Sequence, residues 1–255
     1  MTDTGPDFIS VGDGDAARQI AVQMREGAGP PVVWLGGFRS DMTATKATSL
    51  DAWAAEQKRA LVRFDYAGHG ASGGKFADCT ISSWLEDAQA VLTQYVSEPP
   101  ILVGSSMGGW IACLAARDRA VRGQRTAGLV LIAPALDFTE DLIWSQLDEP
   151  ARAALLRDGG LRRPSEYAPE PDPITLALIE DGRRNRLLTQ AFDPGCPVHI
   201  LQGMRDPDVP YAHALKTVGR LPAEGTVLTL IADGDHRLSR PQDIARLVAA
   251  VAGIA

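Results

Sequence analysis

Ten residues, Ile101 to Trp110, constrain the fold more than any others: the apolar run Ile-Leu-Val enters the glycine-rich turn Gly-Ser-Ser-Met-Gly-Gly, and a helical pattern follows. A run that is apolar on both faces reads as a buried central strand. Gly104, Ser106 and Gly108 then make a G-x-S-x-G pattern, in which a sharp strand-to-helix bend strains the serine backbone and aims its hydroxyl out of the sheet. Two residues either side of that serine the backbone passes so close to itself that a β-carbon would clash. Centring the pattern on Ser105 would put Val103 and Met107 at those positions, so Ser106 is the candidate nucleophile. A turn with a purely structural serine fits the same pattern, and the rest of the chain must decide between them.

The surrounding chain alternates strands and helices. Phe8–Val11 and Ile20–Met24 read as an opening pair of edge strands, and Val32–Leu35 as a fully buried strand ending at Gly36-Gly37-Phe38. A helix is expected over Thr43–Gln57, a strand over Leu61–Phe64, and an amphipathic helix over Ile81–Tyr95, where Trp84, Leu85, Ala88, Val91, Leu92 and Tyr95 recur three and four apart. After the elbow come strands at Gly128–Ile132, Val198–Leu201 and Val227–Ile231, with helices at Tyr211–Val218 and Gln242–Val251. This order predicts one α/β domain over residues 1–255, a mostly parallel sheet of about eight strands with helices on both faces. Between Pro134 and Phe192 the prolines multiply and no convincing strand is visible, so residues 134–192 are expected to form an inserted helical cap. Its apolar side includes Leu142, Ile143, Trp144 and Leu147.

A serine hydroxyl at neutral pH needs a base within hydrogen-bond reach, oriented in turn by an acid. Of four histidines, His236 lies in the loop after the last strand, on the side of a parallel sheet where ligand sites collect. His69 in a glycine turn, His199 in a strand and His213 on a helix read as structural. Asp206, at the first loop turn after Val198–Leu201, is the expected acid. Asp208 is the alternative, whereas Asp235 and Asp65 read as residues that shape their own loops. The backbone N–H groups of Met107, opening the helix, and of Phe38, after a glycine pair, are expected to form the oxyanion hole. Arg39, Ile143, Trp144 and Leu147 are candidates for the substrate pocket.

Composition narrows the partners. The chain has 255 residues and a net charge of −7. That charge disfavours a surface for nucleic acid, and no apolar run reaches the length of a membrane span. Cys79, Cys113 and Cys196 show no metal or redox spacing, and no signal or transit pattern is visible, so a cytoplasmic protein is expected. No metal and no cofactor is called for.

Gly104-x-Ser106-x-Gly108, Asp65-x-x-Gly68-His69-Gly70-x-Ser72, Gly203-x-x-Asp206-x-x-Val209-Pro210 and Asp235-His236 together resemble the α/β-hydrolase superfamily over nearly the whole chain. The order Ser106, Asp206, His236 is also that superfamily's order. Arg63-Phe64-Asp65-Tyr66, Leu102 to Trp110 and Gly203-Met204-Arg205-Asp206 resemble its mitochondrial serine-hydrolase branch, which has protein-depalmitoylating and acyl-glucuronide-cleaving activities. The resemblance implies a carboxylesterase or acyl thioesterase acting on a small-molecule ester or thioester, or on an acylated protein. The competing expectation is a receptor of the same fold that cleaves its small ligand slowly and once.

Overall fold

The computed structural model describes residues 5–163 and 171–254. Its main sheet has eight strands. In chain order these are β1 (Asp7–Val11), β2 (Arg18–Arg25), β3 (Ala28–Leu35), β4 (Arg59–Phe64), β5 (Ile101–Ser105), β6 (Gly128–Ile132), β9 (Val198–Gly203) and β10 (Thr226–Ile231). The order across the sheet is β1-β2-β4-β3-β5-β6-β9-β10. β1 and β2 pair antiparallel, as does β2 with β4, and every later pairing is parallel. The elbow strand β5 therefore lies inside the parallel region, bonded on both edges.

Strand periodicity sorts the core into two layers. Ile101 and Val103 of β5 and Val130 and Ile132 of β6 face helices α1 (Thr45–Glu56) and α7 (Pro241–Ile254), joining Leu50, Ala54, Leu247 and Val251. Leu102, Leu129 and Leu131 face the other way, onto α2 (Ile81–Tyr95) and α3 (Met107–Val121). A capping box opens α2, with the Thr80 side chain accepting from Ser83 N–H and the Ser83 side chain from Thr80 N–H. Of the periodic set read from sequence, Trp84, Leu85, Ala88, Val91 and Leu92 are buried, and Tyr95, in the last turn, is only partly so.

The inserted segment corrects one expectation. Besides α4 (Glu149–Asp158) and α5 (Leu176–Arg184), it contains two strands, β7 (Gly160–Arg163) and β8 (Asp172–Thr175), paired antiparallel as a separate sheet. The cap is mixed, not purely helical. These strands are four residues each and largely polar, so they carry no apolar alternation for a sequence reading to find. Gly159 at φ 74° ends α4 and turns the chain straight into β7. The two ends of the cap are joined by Asp137, a fully buried carboxylate that accepts N–H bonds from Leu187 and Leu188 at 2.8 and 2.9 Å. From the sheet side, Trp110 Nε1 on α3 donates to Asn185 O at 3.1 Å.

Candidate active site

Three loops at the carboxyl ends of β5, β10 and β9 meet above the sheet. At the end of β5 the chain turns so sharply that Ser106 has φ 54° and ψ −117°, outside the regions open to most L-residues. That strain is held by backbone bonds. Ser106 N–H donates to Ile132 O at 2.9 Å, and Ser106 O accepts from Gly109 and Ala135 N–H at 2.9 and 3.1 Å. A β-carbon on Gly104 would sit 2.4 Å from Gly108 O, and one on Gly108 would sit 2.1 Å from Leu35 O. Both glycines are thus required by close backbone approach, as the spacing argument holds.

The loops after β9 and β10 are stitched together. Met204 N–H donates to Ile231 O and Arg205 N–H to Gly234 O, each at 2.9 Å. This brings Asp206 beside His236. Asp206 is buried, and its Oδ1 accepts from Asp208 and Val209 N–H at 2.9 and 2.8 Å. Its Oδ2 accepts from Gln202 Nε2 at 3.2 Å and from His236 Nδ1 at 2.8 Å. His236 Nε2 in turn lies 3.2 Å from Ser106 Oγ. A hydroxyl, an imidazole and a carboxylate are therefore aligned in one chain, with the ring nitrogen nearer the serine available to accept its proton.

The other candidates fall elsewhere. Asp208 lies next to the pair, and ligand atoms of Asp206, Asp208 and His236 fall within 4.8 Å of one another. A cation there would compete with the four hydrogen bonds that Asp206 already accepts. Asp235 accepts Leu238 N–H at 2.9 Å and so shapes its own loop. Asp65 accepts Met42 N–H at 2.6 Å and Ala71 N–H at 2.8 Å. His199 and His213 are tied to Thr229 Oγ1 and Leu136 O, and burial lowers the pKa of both.

A cavity of about 580 Å³ opens over Ser106. One side is apolar, formed by Phe38, Met107, Phe138, Leu142, Ile143 and Ile174. The other is polar, with Thr45, Lys46, Arg237 and Ser239. Burial, reinforced by the nearby Arg237 charge, pushes the Lys46 amine down to about 8. Met107 is the first residue of α3, where backbone N–H groups lack intrahelical partners. Gly37 lies against the elbow, 3.3 Å from Ser105 O and 3.4 Å from Ser106 Cβ as measured from where its own β-carbon would stand, which brings the loop carrying Phe38 to the serine.

Two of the four pocket candidates need adjustment. Ile143 lines the cavity, but Trp144 and Leu147 are not among its lining residues. Trp144 instead packs, partly buried, against the edge of the core, beneath two guanidinium groups, Arg183 at 4.5 Å and Arg152 at 5.4 Å from the ring centroid. The π-helical turn Thr139–Ile143 shifts the periodicity at that point, so residues that look continuous with Leu142 and Ile143 face elsewhere. Leu147 packs on the core's margin. Arg39 lines the cavity rim and pairs with Asp172 of the cap hairpin at 3.2 Å. Sequence reasoning missed Phe138 and Ile174 as lining residues. Phe138 carried a signal, an aromatic just after the buried strand β6, whereas Ile174 sits in the unpredicted hairpin.

The alpha/beta hydrolase family matches residues 27–249. The chain belongs to that family. Among relatives of this hydrolase, the mitochondrial palmitoyl-protein thioesterase ABHD10 of Bos taurus is 30% identical over 230 residues, which span 90% of this chain and 74% of that protein. A crystal structure from Agrobacterium vitis S4 shares 55% identity and superposes with a TM-score of 0.95 over 98% of both chains. The structure of alpha/beta hydrolase domain-containing protein 10 from mouse, 27% identical, gives a TM-score of 0.88, again over 98% of both. No helix among the described residues is long and apolar enough to cross a membrane.

Proposed function

We propose that this hydrolase cleaves carboxylic esters or thioesters through an acyl-serine intermediate. The observation that carries the reading is the Ser106–His236–Asp206 chain at 3.2 and 2.8 Å, set at the floor of a cavity that is apolar on one side and polar on the other. Ser106 Oγ attacks the carbonyl carbon while His236 Nε2 takes its proton, and Asp206 stabilises the resulting imidazolium. The carbonyl oxygen becomes an oxyanion and is held by the backbone N–H groups of Met107 and Phe38, each such donor contributing about 3 kcal/mol at the transition state. Collapse breaks the bond to the leaving oxygen or sulfur, and His236 gives up its proton, to the departing alkoxide or, for a thiolate, to the sulfur or to solvent, which returns the imidazole to its neutral form. Water then attacks the acyl-serine carbonyl, His236 accepts its proton, and a second collapse frees the acid and restores Ser106.

The acyl chain is assigned to the apolar side against Phe138, Leu142, Ile143 and Ile174, and the leaving group to the polar side. The name of the Bos taurus relative, a palmitoyl-protein thioesterase, supports a fatty acyl thioester among the substrates. The test is hydrolysis of a chain-length series of p-nitrophenyl esters and matching acyl thioesters by the native protein and by Ser106→Ala. An initial burst followed by sustained turnover, abolished in the alanine variant, is expected. Equal rates in both proteins would refute the mechanism, and cleavage that stops at one equivalent would favour the receptor reading.

A further inference from the structure

The turn Asp65 to Ser72 grips the loop that carries the Phe38 amide. That loop, residues 36–41, joins β3 to α1 and has little bonding of its own, a Ser40 N–H to Gly37 O turn at 3.0 Å being its main internal contact. Its peptide planes are therefore set from outside. Two bonds do this. Asp65 Oδ1 accepts Met42 N–H at 2.6 Å beyond the loop, and His69 Nε2 accepts Arg39 N–H at 3.1 Å within it. Arg39 has φ 56°, a left-handed conformation that costs a non-glycine residue energy and persists only where neighbours enforce it.

We propose that His69 is a positioning residue for acyl transfer: by holding the Arg39 N–H it fixes the Phe38–Arg39 peptide, and with it the aim of the Phe38 N–H at the oxyanion. The inference rests on the acyl-serine reading of Ser106. Because Nε2 accepts, the ring's proton sits on Nδ1, which faces Ala67 O at 3.0 Å, so both nitrogens are committed. The ring is buried and wedged among Tyr66, Phe76 and Trp84, with centroids 5.8, 5.0 and 5.5 Å away. Burial also holds its pKa down at about 4, which keeps the Nε2 lone pair available at neutral pH. Phe38 is fixed at its other end, its ring edge-on to Phe76 at 4.8 Å and to Phe138 at 5.7 Å. With the ring and the following peptide both immobile, the Phe38 amide keeps one orientation before substrate arrives, which is what an oxyanion donor requires.

Two amides separate this role from general support of the fold. In His69→Gln the side-chain oxygen reaches the place of Nε2 and can accept from Arg39. In His69→Asn the shorter amide replaces Nδ1, keeps the bond to Ala67 O, and leaves Arg39 N–H without its acceptor. The measurements are kcat and KM on a p-nitrophenyl ester, and inhibition by an alkyl boronic acid, a tetrahedral mimic, against inhibition by the product acid. For His69→Asn, kcat is expected to fall about 10- to 100-fold with KM within about twofold, and boronate affinity to weaken while product-acid affinity holds. His69→Gln should recover most of the loss. If His69→Asn does not fold, His69→Leu serves as the acceptor-free variant. Native kcat in the acceptor-free variant, or equal loss of boronate and product binding, overturns the proposal. A native protein that turns over no ester, or as fast as Ser106→Ala, overturns the parent reading instead.

Discussion

The burial of His69 makes a prediction about stability that is independent of catalysis. Its pKa falls from 6.5 to about 4, with burial the largest cause. The unfolded chain therefore binds one proton more than the folded chain between those values, and stability drops as pH falls through that window. The contribution is fully present above pH 6.5. Its full loss is about 3 kcal/mol, most of it gone by pH 4.5. For a domain stable by about 5 to 15 kcal/mol that is a large fraction. Urea unfolding of the native protein and of His69→Gln at pH 7 and pH 4.5, with fluorescence and circular dichroism checked for coincident transitions, isolates it. His199 and His213, also lowered by burial, and the raised carboxyls of Asp65, Asp87 and Asp137 titrate in both proteins and cancel in the difference. The variant is expected to lose about 2 to 3 kcal/mol less than the native protein between the two pH values. Parallel losses would refute the argument that the buried ring stays neutral in the fold.

Two further outcomes follow from the site and the cap. Asp206→Asn turns an N–H group toward either His236 Nδ1 or the Asp208 and Val209 amides, so the ring loses its orientation; kcat is expected to fall about 10⁴-fold with native circular dichroism, measured by ester hydrolysis. Asp137→Ala strips two buried N–H groups of their acceptor and should cost about 2 to 5 kcal/mol in urea unfolding, with Asp137→Asn recovering part of it.

The elbow was legible because its glycines are dictated by contacts within a few residues of Ser106 and by one neighbouring strand. The sheet was legible because continuous apolar runs have few other places to go. Asp206 could be preferred over Asp235 because a side chain at a strand end reaches across the sheet, and its carboxylate lies 2.8 Å from His236 Nδ1. What escaped were features set by distant partners. The cap hairpin is polar, and Trp144 owes its direction to a π-helical turn that no periodicity announces. Arg39 meets Asp172, a carboxylate 133 positions away, so nothing local marks the pair. His69 read as structural from its glycine turn, and only the folded chain brings its Nε2 to the Arg39 N–H, thirty positions away.

The chemistry and the acyl wall are written in separate stretches of the chain. Ser106, Asp206 and His236 follow β5, β9 and β10, and the Phe38 loop follows β3, whereas Phe138, Leu142, Ile143 and Ile174 all come from the excursion between β6 and β9. Mutation can therefore vary the fit of the substrate while the reacting groups inherit an unchanged frame. The ties between the two, the Trp110–Asn185 bond below and the Arg39–Asp172 pair above, mark where that independence ends. A lineage that keeps those ties is free to explore new acyl chains without relearning how to cut them.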